Sequence, residues 1–433
     1  MDDSLKPSVK RPTRNLAVDF YRVSGVVLIV LGHWLAGSVT YDHGQFGRQN
    51  PLVDMPWTQW LTWPFQAVPT FFLVAGYAGA VSWAHRRDAE GVSRQSWLRH
   101  RLARVLGPTT IYVGLISAVV VVIEWRHVGG STLEYAGWAV AMHLWFLAVY
   151  LLVVSLTPAA IAAQRRWGLL VPVVLAAGVV AVDALSLRGH VPYLRPLNYL
   201  LCWGGLYQLG IAWQDGLLAG RRSALLGGGS AVVLALLILV GPYPVSMIGV
   251  PGQALQNSDP PSVGMLAFGC AQAGLVITIA PLLNRALRSG LAERALTIAN
   301  SNVMALYLWH MIPVVIVAIV GYPAGLLPQP VEGTTQWWLA RLEWAVVLSL
   351  VAACEMVLLY WGRRIFGAPL AMFSTPLSDR WAEPVMLAGA VMAAYGLAFI
   401  AAKGFAPDGH FPWLTGLIFA GGVLLVALRP AEE

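Results

Sequence analysis

Long apolar segments recur along the whole chain, and they limit its fold more than any other feature. A bilayer core roughly 30 Å thick requires about 20 apolar residues per helical crossing. Because lipid offers no hydrogen-bond partners to the backbone, such segments cross it as helices. The sequence therefore predicts an all-α polytopic integral membrane protein with about 12 transmembrane helices. They are centred on residues 17–36, 64–84, 105–123, 136–156, 168–187, 196–213, 223–240, 262–283, 300–321, 338–361, 384–402 and 411–428.

The composition excludes other classes of protein. With 58% hydrophobic and 11% charged residues, the chain is far from the balance of a soluble enzyme or a disordered chain. The net charge of +7 comes from cations that lie between apolar segments. It indicates membrane topology in a lipid bilayer, with no role in binding nucleic acid. We expect the first apolar segment to be retained, because no small-residue cleavage site follows it promptly.

The cations also predict the orientation. Of 28 Lys and Arg residues, 21 lie in one alternating set of connections and five in the other, while Arg22 and Arg341 lie within helices. Since cytoplasmic loops carry the excess of Lys and Arg, both termini are predicted to be cytoplasmic. The Ala- and Arg-rich composition with few Lys residues is typical of a high-GC bacterium. We therefore expect a multi-pass protein of the bacterial inner (plasma) membrane, whose oligomeric state the sequence does not specify.

The first helix contains three ionisable residues, Asp19, Arg22 and His33. Such groups are costly within a bilayer and usually face a cavity or a partner. Eleven residues separate Arg22 from His33, so the two share one helix face about 16 Å apart, and Asp19 can pair with Arg22. A neutral imidazole is well suited to accept a hydroxyl proton. The alternative is that His33 lies at the outer headgroup level and Arg22 only pairs with Asp19.

Five short motifs occur in an order that resembles the membrane-bound acyltransferase 3 family. The first is the Arg22-to-His33 spacing, with Arg14 and Asp19 as its usual lead-in. The resemblance covers residues 14–361, within the first ten predicted helices. The other motifs are PTFFLVAGYAGA at 69–80, RLARVLGP at 101–108, MHLWFL at 142–147 and ALYLWHMIP at 305–313.

This resemblance implies transfer of an acyl group, usually acetyl, from cytoplasmic acyl-CoA to a hydroxyl group. The implied acceptor is an envelope carbohydrate, a glycolipid or a small-molecule metabolite. His33 would be the general base or a transient acyl carrier, and Arg22, held by Asp19, would give electrostatic support. No metal ion is implied.

Guanidinium groups suit the phosphates of the acyl-CoA donor. Arg101 and Arg104 lie three residues apart at the cytoplasmic entrance and would bind the donor together with Arg14. The alternative is an ordinary positively charged cytoplasmic loop. Once the nucleotide is held there, the pantetheine arm is expected to run along the face from Arg22 to His33.

Further polar and aromatic residues are candidates for contacting the acceptor. Several lie near predicted helix ends, where a role as a membrane anchor or a loop carboxylate is the alternative. These substrate-binding candidates are Trp34, Glu124, His143, Trp145, Glu355 and His310.

The chain is predicted to comprise a cytoplasmic tail (1–14), a ten-helix acyltransferase domain (15–361), two additional helices (362–428) and a short cytoplasmic tail (429–433). The rival function is a proton-coupled secondary transporter, because twelve helices with buried Asp, Arg and His residues also describe many carriers. The two halves of the chain show no evident repeat, which favours the enzyme.

Overall fold

The structure, a computed structural model, describes residues 14–127, 130–189 and 191–430, and helices form most of this part. These helices confirm the predicted all-α polytopic fold. Those of ten or more residues are α1 (Leu16–Ala36), α2 (Val68–Trp83), α3 (Arg94–Trp125), α4 (Gly130–Ala139), α5 (Trp145–Ser155), α6 (Thr157–Trp167), α7 (Leu170–Arg188), α8 (Leu197–Gln214), α9 (Arg221–Leu239), α10 (Val263–Ala286), α11 (Gly290–Trp309), α12 (Ile312–Gly321), α13 (Thr335–Trp361), α14 (Asp379–Lys403) and α15 (Trp413–Ala427).

The number of clear membrane crossings is smaller than predicted. Within the described ranges, nine helices are long and apolar enough to cross a bilayer, or ten if the bent pair α11 and α12 is one crossing. The predicted segments 196–213 and 411–428 make the difference. Both are helical, but α15 has only 15 residues, and Asn198, Gln208 and Gln214 make α8 more polar.

Short elements fill the connections between the long helices. Strands β1 (Ser38–Asp42) and β2 (Gln45–Gln49) form an antiparallel hairpin directly after α1. Strands β3 (Phe373–Thr375) and β4 (Leu428–Pro430) pair in parallel, which ties the end of the described chain to the connection before α14. The other short elements are helices Pro51–Asp54, Thr62–Phe65 and Arg363–Phe366, 3-10 turns Pro56–Leu61, Met142–Leu144, Pro192–Leu194 and Pro407–Gly409, and a π-helical turn at Ala84–Ala89.

Contacts between connections separate into two ends of the molecule. Each of four long-range hydrogen-bonded pairs joins connections that the alternation of helices predicts on the same side. At the predicted cytoplasmic end they are Arg94–Glu383 and Arg165–Asp88, and at the opposite end Tyr41–Gln329 and Glu124–His410. The alternation of the predicted segments therefore agrees with the packing, while the orientation of the two ends in a membrane stays a prediction.

Helices α2 and α8 approach closely through glycine. A Cβ atom on Gly76 would overlap the carbonyl oxygen of Tyr207, and one on Gly210 would overlap that of Leu73. Small residues at such crossings allow helix backbones to approach and gain van der Waals contact, which drives helix association in lipid. This crossing is part of the scaffold around the first helix, because α1 also contacts α2.

The two helices beyond the predicted acyltransferase domain pack against it. Helix α14 contacts both α15 and α5, and its Met386, Ala390, Ala393 and Leu397 are completely buried. The predicted domain boundaries stay predictions. Residues 1–13 and 431–433, which make up most of the two predicted tails, lie outside the described residues.

Candidate active site

Three histidines from distant parts of the chain meet, and we call them the histidine cluster: His33, His143 and His310. His33 Nδ1 lies 2.8 Å from His310 Nε2. The rings of His33 and His310 stack with centroids 5.1 Å apart, and the ring of His143 lies 4.9 Å from that of His310. His143 and His310 are buried, whereas His33 is partly exposed.

A helix break places His310 in this cluster. Helices α11 and α12 meet at an angle of 51° around His310 and Met311. Pro313 has no N–H to donate to the carbonyl of Trp309, so the α-helical ladder cannot continue through this point. The Trp34 indole N–H donates to the His310 carbonyl oxygen at 2.9 Å and stabilises the break.

These contacts give Trp34 a role different from the predicted one. The predicted role was contact with the acceptor. Its side chain is only 4% exposed, so its ring faces are covered by protein. The arrangement supports a structural role at the His310 break.

The hydrogen bonds assign the tautomers of His33 and His310. His310 Nδ1 lies 2.8 Å from the carbonyl oxygen of Tyr307, which only accepts, so Nδ1 carries the proton. A charge on this completely buried ring would be costly, so Nε2 of His310 keeps a lone pair. It accepts from His33 Nδ1–H, and His33 Nε2 is then left with a lone pair. The partly exposed imidazole therefore presents a basic nitrogen.

Aromatic and acidic groups extend the cluster on the side of His143. The ring nitrogens of His143 make no hydrogen bond of regular geometry among the described residues, and they interact only weakly with the Leu308 backbone. Its ring contacts Tyr112 at a centroid distance of 5.8 Å, and its carbonyl oxygen accepts from the Tyr307 hydroxyl. The carboxyl group of Glu355 interacts electrostatically with Tyr112. His143, His310 and Glu355, each predicted separately from the sequence, are thus brought to one region.

A second group of predicted residues lies towards the start of α1. Arg22 Nη1 donates to Asn300 Oδ1 at 3.2 Å, and the Asn300 amide donates to Asp19 at 3.1 Å. Asp19 Oδ2 pairs with Arg14 at 2.6 Å, while its other oxygen is 3.9 Å from Arg22. The predicted support of Arg22 by Asp19 is therefore largely indirect, through Asn300, and the short ion pair belongs to Arg14.

Three arginines lie in one region, Arg22, Arg101 and Arg104, and we call them the cationic layer. Arg101 and Arg104 are close enough to Arg22 to interact with it electrostatically. Arg101 also lies over the ring of Trp97 and interacts with the Tyr207 hydroxyl. The structure therefore places two of the three predicted donor-binding residues in the region of Arg22, while the third, Arg14, pairs with Asp19.

The cationic layer and the histidine cluster are linked by two helices with matching spacing. Arg22 and His33 are eleven residues apart on α1, and Arg101 and Tyr112 are eleven apart on α3. Each interval corresponds to about 16 Å and returns to the same helix face. The arginines of the cationic layer and the imidazole rings of the histidine cluster therefore lie at two separate levels of the helix bundle.

The face of α1 between the two levels is packed. Val26 and Ile29 lie on the stripe from Arg22 to His33 and are 0% and 7% exposed. The predicted route for a donor arm along this stripe is therefore closed in this conformation. Sequence spacing placed the two side chains on one face but contained no information on the side chains that fill the space between them.

Two substrate-binding candidates lie outside the cluster. Glu124 accepts through both carboxylate oxygens from the connection between α14 and α15, at 3.0 Å from His410 Nδ1 and 3.0 Å from the Phe411 amide nitrogen. It therefore anchors that connection. Trp145 packs in an aromatic group with Tyr199 and Trp203.

The anchoring role of Glu124 gives a testable prediction. We expect Glu124→Ala to lower the melting temperature, because His410 and Phe411 lose their shared acceptor. Acyl transfer per folded molecule should stay within about twofold, since Glu124 bonds to His410 and Phe411 and lies outside the histidine cluster. Thermal unfolding and thiol release from acetyl-CoA measure the two effects. Glu134→Ala, at an exposed position of α4, is the control. A 100-fold slower acyl transfer by Glu124→Ala would instead show that Glu124 takes part in the reaction.

Several residues of the site were not selected from the sequence. Tyr307 and Tyr112 look like ordinary aromatic residues of apolar helices, and Asn300 is a single polar residue in α11. Only Tyr307 had a usable signal, because it precedes His310 by three residues and so shares its helix face. Arg341 was noted as a charge within a helix, but its partners come from the end of α1 and only the fold reveals them.

Comparison with known proteins identifies the family of the chain. No curated protein and no solved structure matches the chain significantly. A family model described as an acyltransferase domain matches residues 15–361, which include the whole histidine cluster and the cationic layer. This range agrees with the resemblance noted in the sequence. The chain therefore belongs to the acyltransferase 3 family, a family of membrane acyltransferases.

Proposed function

We propose that the protein transfers an acyl group, acetyl being the expected one, from cytoplasmic acyl-CoA to a hydroxyl group of an envelope carbohydrate, glycolipid or secondary metabolite. The observation that carries this proposal is the hydrogen-bond chain from the Tyr307 carbonyl through His310 to His33. It leaves the outer nitrogen of His33 as a base on a partly exposed ring. Such a nitrogen suits proton abstraction from an alcohol near neutral pH.

In the direct form of the reaction, His33 Nε2 takes the proton of the acceptor hydroxyl as its oxygen attacks the thioester carbonyl carbon. The C–S bond breaks, and the His33 imidazolium returns the proton to the departing thiolate, so an ester and free CoA are formed. In the alternative form, His33 Nε2 attacks the thioester carbonyl carbon, the C–S bond breaks and CoA leaves as a thiolate. The acceptor hydroxyl then attacks the acyl group, the C–N bond to His33 breaks, and the hydroxyl proton neutralises the thiolate, so an ester, free CoA and neutral His33 result. Ping-pong kinetics would identify the second form.

The cationic layer supports donor binding. Arg22, Arg101 and Arg104 would neutralise the phosphates of CoA, and Arg14 would hold Asp19 away from them through its short ion pair. The distance of about 16 Å to the histidine cluster separates nucleotide binding from chemistry. A donor arm that follows α1 requires the packed side chains of Val26 and Ile29 to move apart.

Removal of either predicted donor-binding arginine should weaken the donor without stopping the chemistry. We expect Arg101→Ala and Arg104→Ala each to raise the KM for acetyl-CoA by about tenfold or more, because charge-assisted hydrogen bonds contribute roughly 1.5–3 kcal/mol. The kcat at saturating donor should change much less. Steady-state thiol release at varied acetyl-CoA is the measurement.

The matched control is Arg166→Ala, in another predicted cytoplasmic connection, where Arg166 stacks on Trp167. Its KM should equal that of the natural protein. Unchanged KM values in both Arg101 and Arg104 variants would contradict the donor-site assignment. Acetyl-dephospho-CoA, which lacks the 3′-phosphate, adds a chemical probe: a variant that loses the contact to this phosphate no longer discriminates between the two donors.

The function as a whole is tested in cells and with purified protein. We propose a bacterial inner-membrane location with both termini cytoplasmic, so that the ester forms on the outer-facing side. Mass spectrometry of envelope lipids, glycans and secreted metabolites with and without the gene should show one class that loses an acyl increment. Solute uptake driven by a proton gradient, with no release of thiol from acyl-CoA, would favour the rival transporter.

A further inference from the structure

The end of α1, which carries His33 in its last turn, lacks the usual helix closure. Many helices end on a residue in the left-handed conformation, which turns the following N–H groups onto the last carbonyl oxygens. Gly37, the residue after α1, is instead extended, with φ −112° and ψ 148°. Because the last four carbonyls of a helix have no partner within it, those of α1 depend on donors from elsewhere.

A single arginine of α13 supplies these donors. Arg341 Nη2 donates to the carbonyl oxygens of Leu35 and Gly37 at 2.6 and 2.5 Å, and to that of Trp34 at 3.4 Å. Its Nη1 donates to Ser38 Oγ at 3.1 Å. Arg341 is only 8% exposed. Its cation therefore lies where the dipole of α1 favours a positive charge.

Trp34 connects this contact to the histidine cluster. It follows His33 directly, and its carbonyl oxygen accepts from Arg341. Its indole N–H donates to the His310 carbonyl oxygen at 2.9 Å. The end of α1 is thus held from α13 on one side and from the helix break at His310 on the other.

A second attachment lies just beyond α1. The Tyr322 hydroxyl donates to the Val39 carbonyl oxygen at 2.8 Å. Tyr322 directly follows α12, and His310 lies just before that helix begins. Helix α12 is therefore attached to the first segment near both of its ends, through Trp34 and Val39. The hydrogen-bond partners of Arg341 lie between these two attachments, so Arg341 fixes the interval that they enclose.

We propose that Arg341 is a positioning residue for the reaction: by holding the end of α1, it keeps His33 Nδ1 against His310 Nε2. The inference rests on the proposed acyl transfer and deepens it, because it assigns the group that fixes the base. Without Arg341, buried carbonyl oxygens lose a charged donor, the last turn of α1 loosens, and the His33 ring moves with it. Donor binding should be spared, since the cationic layer lies about 16 Å along α1 from His33.

Kinetics with a matched set of variants test this role. Arg341→Met keeps the length of the side chain without its charge or donors. We expect its kcat for thiol release to fall about tenfold or more, because small displacements of reacting groups are costly, with the KM for acetyl-CoA within about twofold. Arg341→Lys should stay within about fivefold of the natural kcat, since an ammonium group also binds helix-end carbonyls.

Arg222→Met is the control. Arg222 is exposed and donates to the Leu217 carbonyl oxygen at 3.3 Å, in a connection that carries no member of the histidine cluster. Both of its kinetic constants should equal those of the natural protein. Size-exclusion chromatography verifies that each variant is folded. Should Arg341→Met not fold, Arg341→Gln takes its place with the same expectation, because its amide keeps a donor without the charge.

A spectroscopic measurement follows the position of His33 without any reaction. In nanodiscs with ¹⁵N-labelled histidine, solid-state NMR should show a correlation between His33 Nδ1 and His310 Nε2, which lie 2.8 Å apart. His33→Ala identifies this signal by its loss. We expect Arg341→Met to lose about half of its intensity or more, and Arg341→Lys and Arg222→Met to retain it.

The outcomes separate this inference from the proposed function. An undiminished correlation in the folded Arg341→Met or Arg341→Gln protein contradicts the positioning role, whatever the rate. So does an unchanged kcat with a raised KM, which would place Arg341 in donor binding. If the correlation depends on Arg341 but acetyl-CoA is never consumed, the positioning of His33 holds and the proposed transfer fails.

Discussion

Replacing His33 by alanine should reduce acyl transfer by about 10²- to 10⁴-fold, the contribution typical of a positioned general base. The structure supports an effect of this size because the hydrogen bond to His310 fixes the basic nitrogen of His33. If His33 carries the acyl group, the loss should be complete at any donor concentration. Thiol release from acetyl-CoA, in membranes that supply the native acceptor, is the measurement.

Two further variants make this result specific. His33→Gln keeps a polar side chain near His310 but has no basic nitrogen, so we expect it to be as inactive as His33→Ala. His85→Ala is the control, because His85 is exposed and pairs with Glu90 far along the chain from the cluster. Activity of His33→Gln within tenfold of the natural protein would show that His33 acts by packing and not by proton transfer.

Replacing Gly210 by alanine should prevent normal folding of the helix bundle. The added Cβ would overlap the carbonyl oxygen of Leu73 and lie 2.8 Å from the Tyr77 amide nitrogen, and neither backbone group can rotate away. Helices α2 and α8 would have to separate, at a cost at or above the 1–3 kcal/mol that is typical of overpacking. We expect a strong loss of monodisperse protein and a lower melting temperature, measured by size-exclusion chromatography and thermal unfolding.

Gly204 provides the matched comparison on the same helix. A Cβ at Gly204 meets no atom within 4 Å, so Gly204→Ala removes backbone freedom without a clash. Its folded yield should equal or exceed that of the natural protein, since alanine favours the helix over glycine by roughly 1 kcal/mol. Equal yields for the Gly210 and Gly204 variants would contradict the close crossing of α2 and α8.

The sequence predicted the fold class because the length of an apolar segment indicates whether it can cross a bilayer as a helix. It overestimated the number of clear crossings, because two predicted segments form helices that are too polar or too short to count as clear crossings. Helix α8 carries Asn198, Gln208 and Gln214 and is less apolar than its neighbours, and α15 is short. Packing against other helices supports such segments, and a sliding window along a sequence does not measure packing.

Local spacing also placed part of the site. Arg22 and His33 share the α1 face towards α11, because both contact residues of α11 or its end. The spacing could not show which distant residues complete the site. The hydrogen bond between His33 and His310 links residues 277 positions apart. Glu124, predicted from the sequence as a candidate for contacting the acceptor, instead accepts hydrogen bonds from the connection before α15. Which distant residues pair depends on the three-dimensional fold, and a single sequence does not reveal these pairs directly.

The break at His310 divides one crossing into two helices, α11 and α12, joined end to end. The shorter helix, α12, has ten residues and is roughly 15 Å long; it begins beside the rings of His33 and His310 and ends beside Tyr322. Because the helical hydrogen-bond ladder is interrupted at the break, α12 can change its angle to α11 at a lower energetic cost than bending an unbroken helix, and such a change would move the His310 ring relative to that of His33.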